Sequence, residues 1–212
     1  MDNYVITIAR GFGSGGKYIG KQLSKKLGIP CYDSKILSMA SQASGIKEDL
    51  FHQNDEKLNK HAFLKKMIKT PKRDYVVGPT EKDFTSDDNL FLIQTKVIEE
   101  LSKTQSCIII GKCADYILKE KDNVVSVYIE APRRDCVKSI KDLLGVTDEE
   151  ANEMIQKTDK YRADYYRYYT HGGIWTNPVN YDMTLNSART GRDQCVELII
   201  EYLKIKFGAE IL

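Results

Sequence analysis

Apolar residues gather into short unbroken runs at residues 4–9, 30–32, 107–110, 124–129 and, more weakly, 183–185, with longer stretches of helical spacing between them. A strand with one wet face alternates apolar and polar side chains, whereas a strand covered on both faces is apolar throughout. These runs therefore predict buried strands of a parallel sheet. After the first run, Ile19, Leu23 and Leu27 recur every four residues as the buried stripe of a helix. Val196, Ile199, Ile200, Leu203 and Phe207 mark a last helix over about 193–207. Thr147-Asp148-Glu149-Glu150, just past the helix-ending Gly145, is a capping box. Strand and helix alternate, which predicts a doubly wound α/β layout with its site at the carboxyl ends of the strands.

Two segments break this rhythm. Between about 51 and 89 a basic amphipathic piece (Lys57, Lys60, Lys65, Lys66, Lys69, Lys72, Arg73) leads through Val77-Gly78-Pro79-Thr80 to acidic Asp83, Asp87 and Asp88. Those lysines suit a solvated helix face, or in part a contact with phosphate or a partner. Residues 159–169 mix cations with phenols: on a helix Lys160, Asp164 and Arg167 share one face and Tyr161, Tyr165 and Tyr168 another. Core packing and a partner surface are both open for these tyrosines.

Composition narrows the class. A chain of 212 residues suits one α/β domain with a mobile appendage. Its 32 basic and 30 acidic side chains, formally +2, argue neither for nor against nucleic acid. Five cysteines without C-x-x-C spacing suggest reduced thiols. No apolar run approaches the roughly 18 residues that cross a bilayer, and the chain opens Met1-Asp2-Asn3 without a basic leader, so a soluble, cytoplasmic protein is expected. His52, His61 and His171 are isolated and suit surface or packing roles better than metal ligation.

The chemistry begins at Gly11-Phe12-Gly13-Ser14-Gly15-Gly16-Lys17, directly after the first apolar run and before the first helix. This is the Walker A spacing G-x-x-x-x-G-K. Its glycines let backbone N–H groups converge on phosphate oxygens, the helix adds its positive end, and the lysine reaches the outer phosphates. A nucleoside triphosphate held by Gly11, Gly13, Ser14, Gly15, Gly16, Lys17 and Tyr18 is the expectation; a glycine-rich turn with an incidental lysine is the plainer alternative. One letter departs: Tyr18 and Ile19 follow the lysine where a Ser or Thr would ligate magnesium.

Three further stretches, Leu27-Gly28-Ile29-Pro30-Cys31-Tyr32-Asp33, Ile108-Ile109-Ile110-Gly111-Lys112-Cys113-Ala114-Asp115-Tyr116 and Asp159-Lys160-Tyr161-Arg162, make the chain resemble the cytidylate kinase-like family of P-loop proteins over nearly its whole length. The resemblance implies a nucleoside monophosphate kinase-like P-loop three-layer sandwich with a mostly parallel sheet and a mobile helical lid. It implies one domain over 1–212, with a monophosphate-binding insertion at about 47–89 and the lid at about 157–175. ATP and Mg2+ would be the cofactors and a cytidylate-like nucleoside monophosphate the acceptor, with Lys17, Arg162 and Lys160 as catalytic cations and Asp33, Lys112 and Asp115 on the acceptor. Asp33 or Ser34 has a plainer use as a helix cap, and Asp115 as a solvent-facing helix residue. Lys112 stands where the family carries an arginine, Met39 where it carries another, and Cys113 where it carries an acid. The metal ligands stay unassigned, with Ser14, Asp33 and Asp115 as candidates. A different small acceptor, or a catalytically weak nucleotide-binding module acting on a partner, are the competing readings. A homo-oligomer stays open, and neither a membrane nor a nucleic acid is called for.

Overall fold

The computed structural model describes residues 3–56 and 75–211. All five apolar runs are strands: β1 (Val5–Arg10), β2 (Cys31–Tyr32), β3 (Cys107–Ile110), β4 (Val124–Glu130) and β5 (Met183–Asn186). They form one sheet in the order β2-β3-β1-β4-β5, and every pairing is parallel. The central strand β1 is in register with Cys107–Ile110 on one side, through Val5 to Ile8, and with Val124 to Ile129 on the other, through Val5 to Arg10.

Helices cover both faces, as continuous apolar strands require. On one face Ile6, Ile8, Ile108, Ile110, Val125 and Val127 pack against α1 (Gly16–Leu27), through Ile19 and Leu23, and against the last helix α9 (Arg192–Phe207), through Val196, Ile199 and Leu203. On the other face Val5, Cys107 and Ile109 meet α2 (Lys35–Ser44) and α4 (Asp87–Thr104) through Ile36, Ile98 and Leu101. Ile6, Ile8, Ile19, Leu23, Ile36 and Ile98 are completely buried, and each contributes about 1.5–3 kcal/mol over its exposed state. The result is the three-layer α/β sandwich.

Short α3 (Glu48–Glu56) precedes residues 57–74, so Lys57 to Arg73 and His61 lie outside the described residues. Further along come α5 (Ala114–Ile117), α6 (Arg133–Leu144), α7 (Asp148–Tyr169) and α8 (Ser187–Thr190). The capping box at the start of α7 is present in both halves: Glu150 N–H donates to Thr147 Oγ1 at 3.2 Å and Thr147 N–H donates to Glu150 Oε2 at 2.8 Å. His52 pairs with Glu48 one turn away at 3.2 Å, and His171 sits in a left-handed turn at φ 56°. None of the five cysteines forms a disulfide, and no helix among the described residues is long and apolar enough to cross a membrane.

Because the strands are parallel, their carboxyl ends meet at one edge. Arg10, Asp33, Gly111, Glu130 and Ser187 all lie at or just past a strand's last residue.

Candidate active site

The loop between β1 and α1 is held by its backbone. Gly13 and Gly15 have φ 89° and 90°, and a Cβ on Gly13 would lie 2.8 Å from the Cys136 carbonyl oxygen. Only glycine combines that backbone with that contact. Gly15 begins α1 with no side-chain cap, so the first-turn N–H groups are left to an incoming anion. Ser14 is fully buried: its hydroxyl donates to the Gly11 carbonyl at 2.8 Å and the Ile129 carbonyl at 3.0 Å, while its own carbonyl accepts from the Ser187 hydroxyl at 2.5 Å. Ser14 therefore stitches the loop to β4 and α8. Tyr18, in the position of the usual metal-binding hydroxyl, donates instead to Asp193 Oδ1 of α9 at 2.8 Å.

Beside the loop the site is made of side chains. Lys17 Nζ lies 2.9 Å from Asp33 Oδ2, and Arg10 Nη2 lies 3.7 Å from Asp33 Oδ1. Burial pushes the Asp33 carboxyl up, but the Lys17 hydrogen bond and the charges of Arg10, Lys17 and Lys112 outweigh it and hold the group below the usual carboxylate range. Ser34 occupies the N-cap position of α2 without a side-chain hydrogen bond, and Asp33 is engaged with the cations, so neither acts as the helix cap. Lys112 is set in an unusual curl: Gly111, Lys112 and Cys113 have φ 73°, 62° and 55° in succession. Two non-glycine residues in the left-handed region cost about 1–3 kcal/mol each, a strain concentrated where β3 turns into α5.

A cavity of about 600 Å³ opens between these strand ends and α7, lined among others by Arg10, Lys112, Asp115, Tyr161, Arg162 and Trp175. Arg162 Nη1 donates to the Arg10 carbonyl at 2.9 Å, and its guanidinium lies 5.7 Å from the centre of the Phe12 ring. Lys160 is not among the lining residues; its side chain is 58% exposed and pairs with Asp164 at 3.7 Å. Asp115 is buried, which corrects the solvent-facing alternative. Burial pushes its carboxyl up to about 6 against a hydrogen bond from the Tyr166 hydroxyl, and Oδ2 is buried without a hydrogen-bond partner. Tyr165, Tyr166, Tyr168 and Tyr169 are also buried, in one cluster with Trp175 and Tyr181. Tyr169 stacks on Phe91 at 3.8 Å and the Tyr168 hydroxyl donates to Asp88 at 2.8 Å, so packing rather than a partner surface accounts for these phenols.

With this geometry in place, the chain matches the cytidylate kinase-like family over residues 5–189. It belongs to that family. The chain is similar to an uncharacterized protein from Eubacterium ventriosum ATCC 27560, at 22% identity and TM-score 0.70, over 95% of this chain and 99% of the other. TT1252 from Thermus thermophilus aligns at 16% identity and TM-score 0.50, over 98% and 99%. A shikimate kinase from Bacteroides thetaiotaomicron aligns at 15% identity and TM-score 0.49, over 95% and 98%. No curated protein matches. At these identities the structural likeness speaks for the fold, and the family match supports a P-loop kinase.

In this member of the cytidylate kinase-like family, side chains to which the motifs gave no role surround the loop. Arg192 Nη2 donates to Ser139 Oγ at 2.7 Å and to the Gly13 carbonyl at 3.4 Å, bracing the loop from α9. Asp159 Oδ1 accepts the Phe12 N–H at 2.8 Å, tying α7 to the loop. Burial, with the Glu130 charge adding to it, holds the Asp159 carboxyl above its ordinary range despite that bond and Arg162. Glu130 accepts from the Tyr128 hydroxyl at 2.5 Å and the Ala131 N–H at 2.9 Å. Arg10, at the very end of β1, lies between loop and cavity. The rule that parallel sheets place their chemistry at carboxyl ends was the one sequence signal for Arg10 and Glu130.

Proposed function

We propose that this protein transfers the γ-phosphoryl group of ATP to a nucleoside monophosphate, cytidylate-like in its base. The observation that carries the reading is the chain of ion pairs Lys17–Asp33 at 2.9 Å and Asp33–Arg10 at 3.7 Å: it links the triphosphate loop to Arg10, which lines the cavity, so the two substrates would meet across Asp33. The loop's N–H groups and Lys17 would cradle the triphosphate, while Asp33, Lys112 and Asp115 would hold the acceptor. Arg162 would add positive charge as the phosphoryl group moves, and such positioned charge is the main catalytic means in this chemistry. The cavity is lined both by the cations Arg10, Lys112 and Arg162 and by the rings of Tyr161, Tyr165 and Trp175, which suits a ligand with a phosphate and a planar base.

Magnesium enters the same reading. Among the described residues no three His, Cys, Asp or Glu side chains gather as a metal cage, and magnesium needs none, since it is ordinarily held by one or two carboxylates, water and the substrate's phosphates.

The test is acceptor-dependent ADP formation with magnesium across nucleoside monophosphates and small hydroxylated metabolites. Cytidylate should stimulate it most. Asp33→Ala should raise the KM for a cytosine-bearing acceptor about tenfold or more while changing the KM for ATP much less. ADP formation that no acceptor on the panel stimulates would overturn the assignment, and stimulation by a metabolite alone would move it to another small acceptor.

A further inference from the structure

We infer that Arg10 grips the anionic group of the acceptor, supplying the planar guanidinium contact that Lys112 cannot make. The inference rests on the acceptor reading above and names the residue at its centre.

Arg10 lies in a trough that two glycines leave open. A Cβ on Gly16 would sit 2.6 Å from the Cβ of Arg10, and a Cβ on Gly111 would collide with its Nη1. The stem of the arginine thus runs over the start of α1 and its head rests on the end of β3. That turns the guanidinium toward the end of β3, whereas Gly13 and Gly15 of the nest face Cys136 and Arg192 of α6 and α9. Arg10 lines the cavity, and no residue from 11 to 17 is among its lining.

Its setting favours a doubly charged anion. Asp33 feels Arg10, Lys17 and Lys112 together, three cations against one carboxylate, and Arg162 is bonded to the Arg10 carbonyl. Asp33 lies 3.7 Å from the Arg10 guanidinium, whose donors form a planar fork, and 2.9 Å from Lys17, its nearer cation. A phosphate presents two oxygens at the spacing of that fork, and a lysine ammonium offers only a point charge. The side chain is only 19% exposed, so screening by water is reduced at the contact.

The decisive experiment fills the loop first. Protein saturated with a non-hydrolysable triphosphate is titrated with inorganic phosphate by calorimetry, as wild type and as Arg10→Lys. Phosphate should bind the loaded wild type and bind Arg10→Lys about tenfold or more weakly, with triphosphate affinity changed less than about threefold. Equal phosphate affinity in the two proteins, absence of phosphate binding to the loaded wild type, or an equal loss of triphosphate binding would each overturn the inference. A variant-free measurement covers the case in which Arg10→Lys does not fold: arginine-selective labelling of wild type with phenylglyoxal, read by peptide mass spectrometry. Phosphate should slow labelling at Arg10 in the loaded protein, and unchanged labelling overturns the contact. The acceptor assay keeps the two claims apart. Phosphate bound at Arg10 without turnover of any monophosphate counts against the monophosphate reading alone, whereas turnover with an unchanged acceptor KM in Arg10→Lys counts against Arg10 alone.

Discussion

The two halves of the site are built by different means. On the triphosphate side the parts are backbone: left-handed Gly13 and Gly15, the start of α1, and a buried Ser14 whose hydroxyl and carbonyl are both spoken for by neighbouring strand ends. On the proposed acceptor side the parts are charged side chains: Arg10 and Lys17 meet the Asp33 carboxylate, and Arg162 is bonded to the Arg10 carbonyl. A backbone nest meets phosphate oxygens with main-chain N–H groups, which carry little selectivity for what the phosphates are attached to. A side-chain cluster can exchange its internal ion pairs for substrate and so can be specific. The difference teaches where each kind of damage should appear: binding and stability on the first side, turnover and pH response on the second.

Lys17 belongs to both halves, and its loss should be the most severe. Lys17→Ala should lower turnover about 10²–10³-fold and weaken triphosphate binding, with the fold unchanged because the side chain is 65% exposed. Titration calorimetry and circular dichroism check this, and a folded variant with full ATP affinity would show the nest to be sufficient without its lysine. Arg162→Ala should lower kcat about tenfold to a hundredfold while ATP affinity falls much less, since its contact is expected to strengthen as charge shifts in transfer. Hydrogen exchange with and without a non-hydrolysable triphosphate sharpens the point: protection should rise around Arg162 as a lid closes, and protection confined to the loop would make the C-terminal half of α7 a static wall.

Asp115 gives the acceptor side a pH signature. Its folded pKa of about 6 lies above the usual carboxylate value, so the folded chain holds this proton more tightly than the unfolded chain. That contribution is full below about pH 4 and is lost as pH rises toward 6, an effect on the order of 2–3 kcal/mol. Asp115→Asn should remove this part of the pH dependence, measured by urea unfolding at pH 4 and pH 7. An unchanged pH profile in the variant would mean that Asp115 is ionised at no cost. The smallest effect is expected from Ser14→Ala, which deletes a buried hydroxyl bonded to the Gly11 and Ile129 carbonyls. About 1–2 kcal/mol of stability should go, with acceptor KM unmoved. A larger effect on acceptor KM than on stability would erase the division between the halves.

Much of this was legible beforehand, for physical reasons that differ by element. The five strands were visible because residues covered on both faces must all be apolar, and the structure's strands fall within a residue of the runs. The capping box of α7 and the glycines of the loop were visible because few residue types can meet their local demands. Asp33 was harder: as a residue between a strand and a helix it is as good a cap as a ligand, and only the folded chain brings Lys17 to 2.9 Å from it. Lys160 and Arg162 looked alike in sequence, yet a helix two positions on turns by more than half a circle, leaving Lys160 exposed beside Asp164 and Arg162 against Arg10.

By itself the sequence determined a parallel α/β sandwich, a phosphate-binding loop after its first strand and membership of a kinase family, because periodicity, glycine requirement and motif order are local properties of the chain. The tertiary structure decided what the charged residues do. It turned Ser14 inward, buried Asp115 against Tyr166, and drew Arg10 from the end of β1 into the cavity. Those outcomes depend on which strand ends become neighbours in the sheet, and residues 10, 33, 112 and 162 become neighbours only once β1, β2, β3 and α7 are packed.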